Sequence, residues 1–135
     1  MTTTDQSIEQ EIQAKGLTAP RVTPASIEAV IASEHYFTAA EGHSGAAWVR
    51  VLDEQGGVIN AFDAAPPPAA LGLLTFCVLV LKNGFTVTGE SACASPENFD
   101  PELGKKIARQ AAINKVWPLE GYLLKQMLHQ VALGV

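Results

Sequence analysis

LLTFCVLVLKNGFTVTGESAC, residues 73–93, holds two β-rich runs on either side of Asn83-Gly84. Asn-Gly between such runs is the strongest short hairpin signal, because both residues tolerate the positive φ of a tight turn. A two-residue turn there sets Lys82 opposite Phe85, Val80 opposite Val87, Val78 opposite Gly89, Phe76 opposite Ser91 and Leu74 opposite Cys93. Phe76, Val78, Val80, Phe85 and Val87 then make the core face. The other face sets Thr75, Cys77, Leu79 and Leu81 against Ala92, Glu90, Thr88 and Thr86. Leu79 and Leu81 side by side do not suit a solvent face. A helix, a further hairpin or a second subunit is expected over them. By periodicity alone Leu71–Leu81 also fits a buried helix; the Asn-Gly turn and the β-branched residues favour the hairpin.

Upstream of the hairpin, Asp5 can cap a short helix in which Ile8 and Ile12 lie four apart and which Gly16 can end. Thr23-Pro24 opens a second helix with a capping hydroxyl and proline at its first position, and Ile27, Val30 and Ile31 form its apolar stripe. EHYFTA, residues 34–39, reads as extended. Residues 42–70 read as an insert: a strand over Ala47–Leu52, a partner strand over Val58–Phe62, then the stiff Pro66-Pro67-Pro68 connector. Downstream, Asp100-Pro101-Glu102 starts a third helix, with Leu103, Ile107 and Ala111 on its apolar face. Pro118 breaks or kinks it, and a last helix carries Leu119, Leu123, Leu124, Met127, Leu128 and Val131. The expected fold is a single α+β domain over residues 1–135. An N-terminal helix and linker (1–22) and a variable insert (42–70) flank a small antiparallel hairpin or sheet packed with helices.

Composition narrows the function. The 135 residues carry 14 Asp+Glu against 9 Lys+Arg, a net charge of -5, and 47% of them are hydrophobic but only 17% charged. Such a chain builds its own core and is not disordered as a whole. Acidity argues against a long nucleic acid as partner. Residues 101–135, however, hold two acids and five bases, so a small phosphate-bearing ligand stays open. The low charge suggests that apolar surface is covered in a homo-oligomer, with Leu79, Leu81, Trp117 and Tyr122 as interface candidates. Two cysteines make no disulfide framework and show no metal-ligand spacing, and Cys77 and Cys93 fall on opposite hairpin faces. No metal, no cofactor, no signal peptide and no membrane span are expected.

No catalytic motif is visible; Ser91 in T-G-E-S-A is not a nucleophile elbow. Several residues suit a ligand instead. Glu90 beside Thr86 and Thr88 offers a carboxylate and hydroxyls to ribose or amide donors, with Ser91 close by. Lys105 and Arg109 share a helix face and, with Lys82, suit a phosphate. His35 suits an anion, and Tyr36 or Phe37 a stacked base. Each has a plainer reading as strand surface, solvated helix face or core edge.

Four strings, KGLTAPRVTP, SEHYFTA, LTFCVLVLKNGFTVTGESACASPENFD and KKIARQAAINKVWPLEGYLL, give the chain a resemblance to a bacteriophage protein family. That family is named for gene product forty-nine of an N-four-type phage. The resemblance covers about residues 9–41 and 71–128 and does not extend to 42–70. It implies a small phage protein acting in the cytoplasm of an infected bacterium, and it brings no catalytic residues with it. The expected function is non-enzymatic binding, with a small nucleotide-derived host immune signal as the sequestered ligand. A protein-binding inhibitor of a host factor, an enzyme cleaving the signal and a structural virion component are the alternatives.

Overall fold

The computed structural model describes residues 4–54 and 65–134, and side chains for 4–49 and 65–134. In chain order the α-helices and strands are α1 (Thr4–Ala14), α2 (Pro24–Ala29), β1 (Ile31–Thr38), α3 (Ala39–Glu54), β2 (Leu74–Leu81), β3 (Thr86–Ala92) and α4 (Pro101–Ala132), with short 3-10 turns at Ala69–Leu73 and Pro96–Asn98. The strands form one antiparallel sheet of order β1-β2-β3. The class is α+β, as the sequence implies.

The hairpin forms, but one residue out of the expected register. Leu79 pairs with Val87, Cys77 with Gly89 and Thr75 with Ser91. The cause is the turn. Leu81 donates its N–H to the Phe85 carbonyl (2.8 Å), so the loop is Lys82-Asn83-Gly84, three residues rather than two. Gly84 takes φ 89°, the left-handed position of a three-residue hairpin loop, and the Asn83 side chain accepts from the Phe85 N–H. A slip of one residue exchanges the two faces of β2 relative to β3, so Val87 shares its face with Leu79 instead of Val80. The core face is therefore Thr75, Cys77, Leu79, Leu81, Val87 and Gly89, while Phe76, Val78 and Val80 point away from it. Leu79 (0% exposed) and Leu81 (5%) are buried within the chain, so neither is a subunit contact.

The cover over that face is α4. Its buried positions up to Val116 are Gly104, Ala108, Ala112, Ile113 and Val116, with Leu103 and Ile107 left exposed, so the apolar face expected from Leu103, Ile107 and Ala111 is rotated. Small residues face the sheet because the helix lies directly on β3. A Cβ on Gly89 would collide with the Ala108 carbonyl oxygen and the Ala112 amide nitrogen. Ile27 of α2 completes the core.

Other expectations change as well. Ala47–Leu52 is helical, part of α3. Thr38 and Glu41 cap its start reciprocally, a T-x-x-E box spelled in the sequence. The proposed partner strand Val58–Phe62 lies outside the described residues. Pro118 does not divide the C-terminal region: α4 is one helix of 32 residues with Pro118 inside it. Asn114, whose carbonyl loses its bond to Pro118, and Pro118 itself sit on the exposed side, where water can take that carbonyl's place. The caps at Thr23 and Asp100 form as expected, each side chain accepting from the first-turn amides. Asp5 lies inside α1 rather than capping it, and Gly16, at φ 68°, follows the helix end.

Candidate functional site

The outer face of the sheet, opposite α4, is built by cross-strand rows. Phe37, Phe76 and Glu90 form one row, His35, Val78 and Thr88 the next, and Ser33, Val80 and Thr86 the third. An apolar strip, Phe76-Val78-Val80, thus runs down the middle strand. An imidazole and a serine flank it on β1, two hydroxyls and a carboxylate on β3. The valines are half-buried; His35, Thr86, Thr88 and Glu90 are exposed. At one end the Phe37 and Phe76 rings are 5.7 Å apart and tilted by 35°, with Gly42 of α3 packed near Phe37. At the other end is the loop with Lys82, about 20 Å from Phe76 at the rise of a strand. Ser33 Oγ lies 3.0 Å from His35 Nε2, a pairing that the S-x-H alternation along one strand face implies but that the sequence reading missed.

The predicted ligand residues therefore divide. His35, Phe37, Thr86, Thr88 and Glu90 share the outer face, and Lys82 sits at its end. Tyr36, Ser91, Lys105 and Arg109 belong to the helix side and do not join them. Arg109 donates from Nη1 and Nη2 to Glu28 (3.0 and 2.7 Å) and from Nε to Glu34 (2.9 Å). It ties α4 to α2 and β1. That pairing holds the Glu28 carboxyl below its ordinary pKa and raises that of Arg109. Arg109 is thus engaged by two carboxylates rather than open to a phosphate. Lys105 makes an exposed pair with Glu102 at 3.5 Å. Tyr36 is half-buried beside Cys77, its hydroxyl donating to Glu34 (3.2 Å), and burial raises its pKa.

A concavity of about 620 Å³ lies elsewhere, between α1, α2 and α4. Its floor includes Ile27, Gln110, Ile113 and Trp117. Arg21 spans it to Glu9, one guanidinium nitrogen lying 2.6 Å from Oε2, and this partner lowers the Glu9 pKa to about 2. Trp117, a predicted interface residue, is instead half-buried under α1, its indole N–H pointing at Asp5 (3.4 Å). Tyr122 is 72% exposed. Both thiols are free, Cys77 buried and Cys93 half-buried, and burial raises the Cys77 pKa. In the observed register Cys93 follows β3 on the same side as Cys77, not the opposite one.

Among the described residues no cluster of three or more His, Cys, Asp or Glu is placed to hold a metal, and no helix is long and apolar enough to cross a membrane. A three-stranded sheet backed by one long helix, with its other face partly open, defines a small α+β domain. Residues 22–128 match the phage protein (N4 Gp49/phage Sf6 gene 66) family, and the chain belongs to it. Neither the curated proteins nor the solved structures contain a significant match.

Proposed function

We propose that this is a phage-encoded, non-enzymatic binding protein that sequesters a small nucleotide-derived host immune signal in the cytoplasm of the infected cell. One observation supports the reading: His35, Phe37, Thr86, Thr88 and Glu90 converge around the apolar strip Phe76-Val78-Val80 on the outer face. Each has a physical task there. The Phe37–Phe76 pair offers a base a stacking surface, worth about 1–3 kcal/mol per base in single-strand binders. Thr86, Thr88 and Glu90 accept or donate to ribose hydroxyls and base edges. Lys82, at the far end, is a cation for a phosphate, and the span between them suits a dinucleotide-sized or cyclic ligand rather than a mononucleotide.

The test is to incubate the purified protein with cyclic nucleotides and cyclic ADP-ribose derivatives, remove the free compound, denature by heat and chromatograph what is released. Intact ligand is expected. Glu90→Gln, at an exposed position, is expected to weaken binding at least tenfold without changing the melting temperature, and Phe76→Ala to weaken it as much while lowering the melting temperature through the lost Phe37 contact. Absence of a calorimetric signal with every compound would sink the reading. The Ser33–His35 pair supports a second reading, cleavage of the signal. Its signature is a ligand returned cleaved, with turnover lost on His35→Ala.

A further inference from the structure

We propose that the distal part of α4, residues 119–133, together with Phe85, docks a second copy of this chain, the two helices lying antiparallel about a two-fold axis. The buried positions of α4 end at Val116. Beyond them the helix carries Tyr122 (72% exposed), Leu123 (53%), Met127 (54%) and Val131 (68%) in the open. Leu119, Leu123, Met127 and Val131 recur every fourth residue, so they form one stripe on a rigid rod about 20 Å long. Phe85, 56% exposed at the hairpin loop, extends the stripe sideways.

Three properties select a second copy as the occupant. The first is area. Six or seven large apolar side chains, each about half exposed, present several hundred Å². That is the upper range for a patch on a monomer, roughly 300–600 Å². With a polar rim it approaches the ~800 Å² per partner of a standard interface. The second is shape. A groove of about 250 Å³, lined by Leu81, Phe85, Leu119, Tyr122 and Leu123, lies at the proximal end; the ridge Met127, Leu128 and Val131 lies at the distal end of the same helix. A two-fold axis near residue 126 seats each ridge in the other groove, a closed isologous contact that leaves no site for a third copy. The third is charge. The chain carries -5, yet residues 119–133 hold one acid, Glu120, and one base, Lys125. Two acidic copies meet here without repulsion, and a strongly charged partner finds no counter-charge. The surface does not depend on the proposed ligand, and it replaces the Leu79–Leu81 contact expected from the sequence.

Sedimentation equilibrium at micromolar concentration is expected to give twice the 14.3 kDa chain mass. Leu123→Asp and Met127→Glu, both at exposed positions, are expected to give monomers with unchanged far-UV circular dichroism. Orientation is read by cross-linking in a Cys93→Ser background. Tyr122→Cys mixed with Val131→Cys is expected to give heterodimeric cross-links, where neither protein alone does. A wild-type monomer at ~100 µM overturns the proposal. So does a dimer or larger assembly that both charged variants leave intact, or self-linking by each cysteine variant alone.

Discussion

Gly89 shows how much one missing methyl decides. Its partner row is Cys77, and the α4 backbone at Ala108 and Ala112 lies directly above it. Gly89→Ala would force backbone apart from backbone, with no side chain to swing away. The expected loss is about 3 kcal/mol or more, read as a lower urea midpoint. Thr75 carries the opposite lesson. It is 3% exposed, and its hydroxyl has no hydrogen-bond partner among the described residues. An unsatisfied buried hydroxyl is destabilising, so Thr75→Val is expected to raise stability by about 1 kcal/mol in the same titration. The sequence contains both residues, but neither role is legible without the register. Asn-Gly announces a hairpin whether its loop has two residues or three, since either loop gives the glycine a left-handed φ. Only the packing of α4 on Gly89 separates the two outcomes, and that contact joins residues about twenty apart in the chain.

Local signals at the element scale succeed where their physics is local. Thr23-Pro24 and Asp100-Pro101 cap helices as written. Thr38-x-x-Glu41 spells the start of α3 equally well, yet the Trp-Val-Arg-Val-Leu run behind it suggests a strand, and the helix prevails. Pro118 misleads in the other direction, because an exposed carbonyl can be hydrated while both flanking turns continue. Pro118→Ala restores a donor to that carbonyl and is expected to stabilise by about 1–3 kcal/mol, measured by thermal unfolding. The Arg21–Glu9 pair holds α1 against the segment that leads into α2, and it has a pH signature. Arg21 lowers the Glu9 pKa from 4.5 to about 2. A carboxyl depressed in the folded state stabilises above its unfolded pKa, and that contribution fades as pH falls from about 4.5 towards 2. Trp117, beside Asp5 of α1, reports the change. In a Trp48→Phe background its fluorescence is expected to shift within that window. Arg21→Gln removes most of that depression and is expected to abolish the shift in this window, and a transition indifferent to Arg21 would refute the link. Glu28, also depressed by its arginine, loosens the α2–α4 contact in the same direction, so the comparison of the two proteins, not either curve alone, isolates α1.

For the whole molecule, the α+β class follows from the caps, the hairpin and the strong helical runs, each of which sequence displays. The candidate face does not follow, because it is assembled from three strands whose mutual register no single segment encodes. Only the helix-side neighbours of Arg109, two carboxylates from 75 and 81 residues away, explain why that cation is not free. The same long-range view separates an indispensable unit from an appendage. Every residue of the core cluster lies between Ile27 and Val116. Helix α1 fully buries none of its own side chains and precedes the family-matched segment 22–128. Removing residues 1–21 deletes the Arg21–Glu9 pair as a unit and strands no charged partner in the core. The shortened protein is therefore expected to melt cooperatively, a few degrees below the full chain, with sheet and α4 intact by circular dichroism. Its urea m-value is expected to fall only slightly, since most of the surface exposed on unfolding belongs to the retained segment. Trp117 is expected to become accessible to a collisional quencher, because α1 no longer covers the cleft. A non-cooperative melt would instead make α1 part of the folding unit.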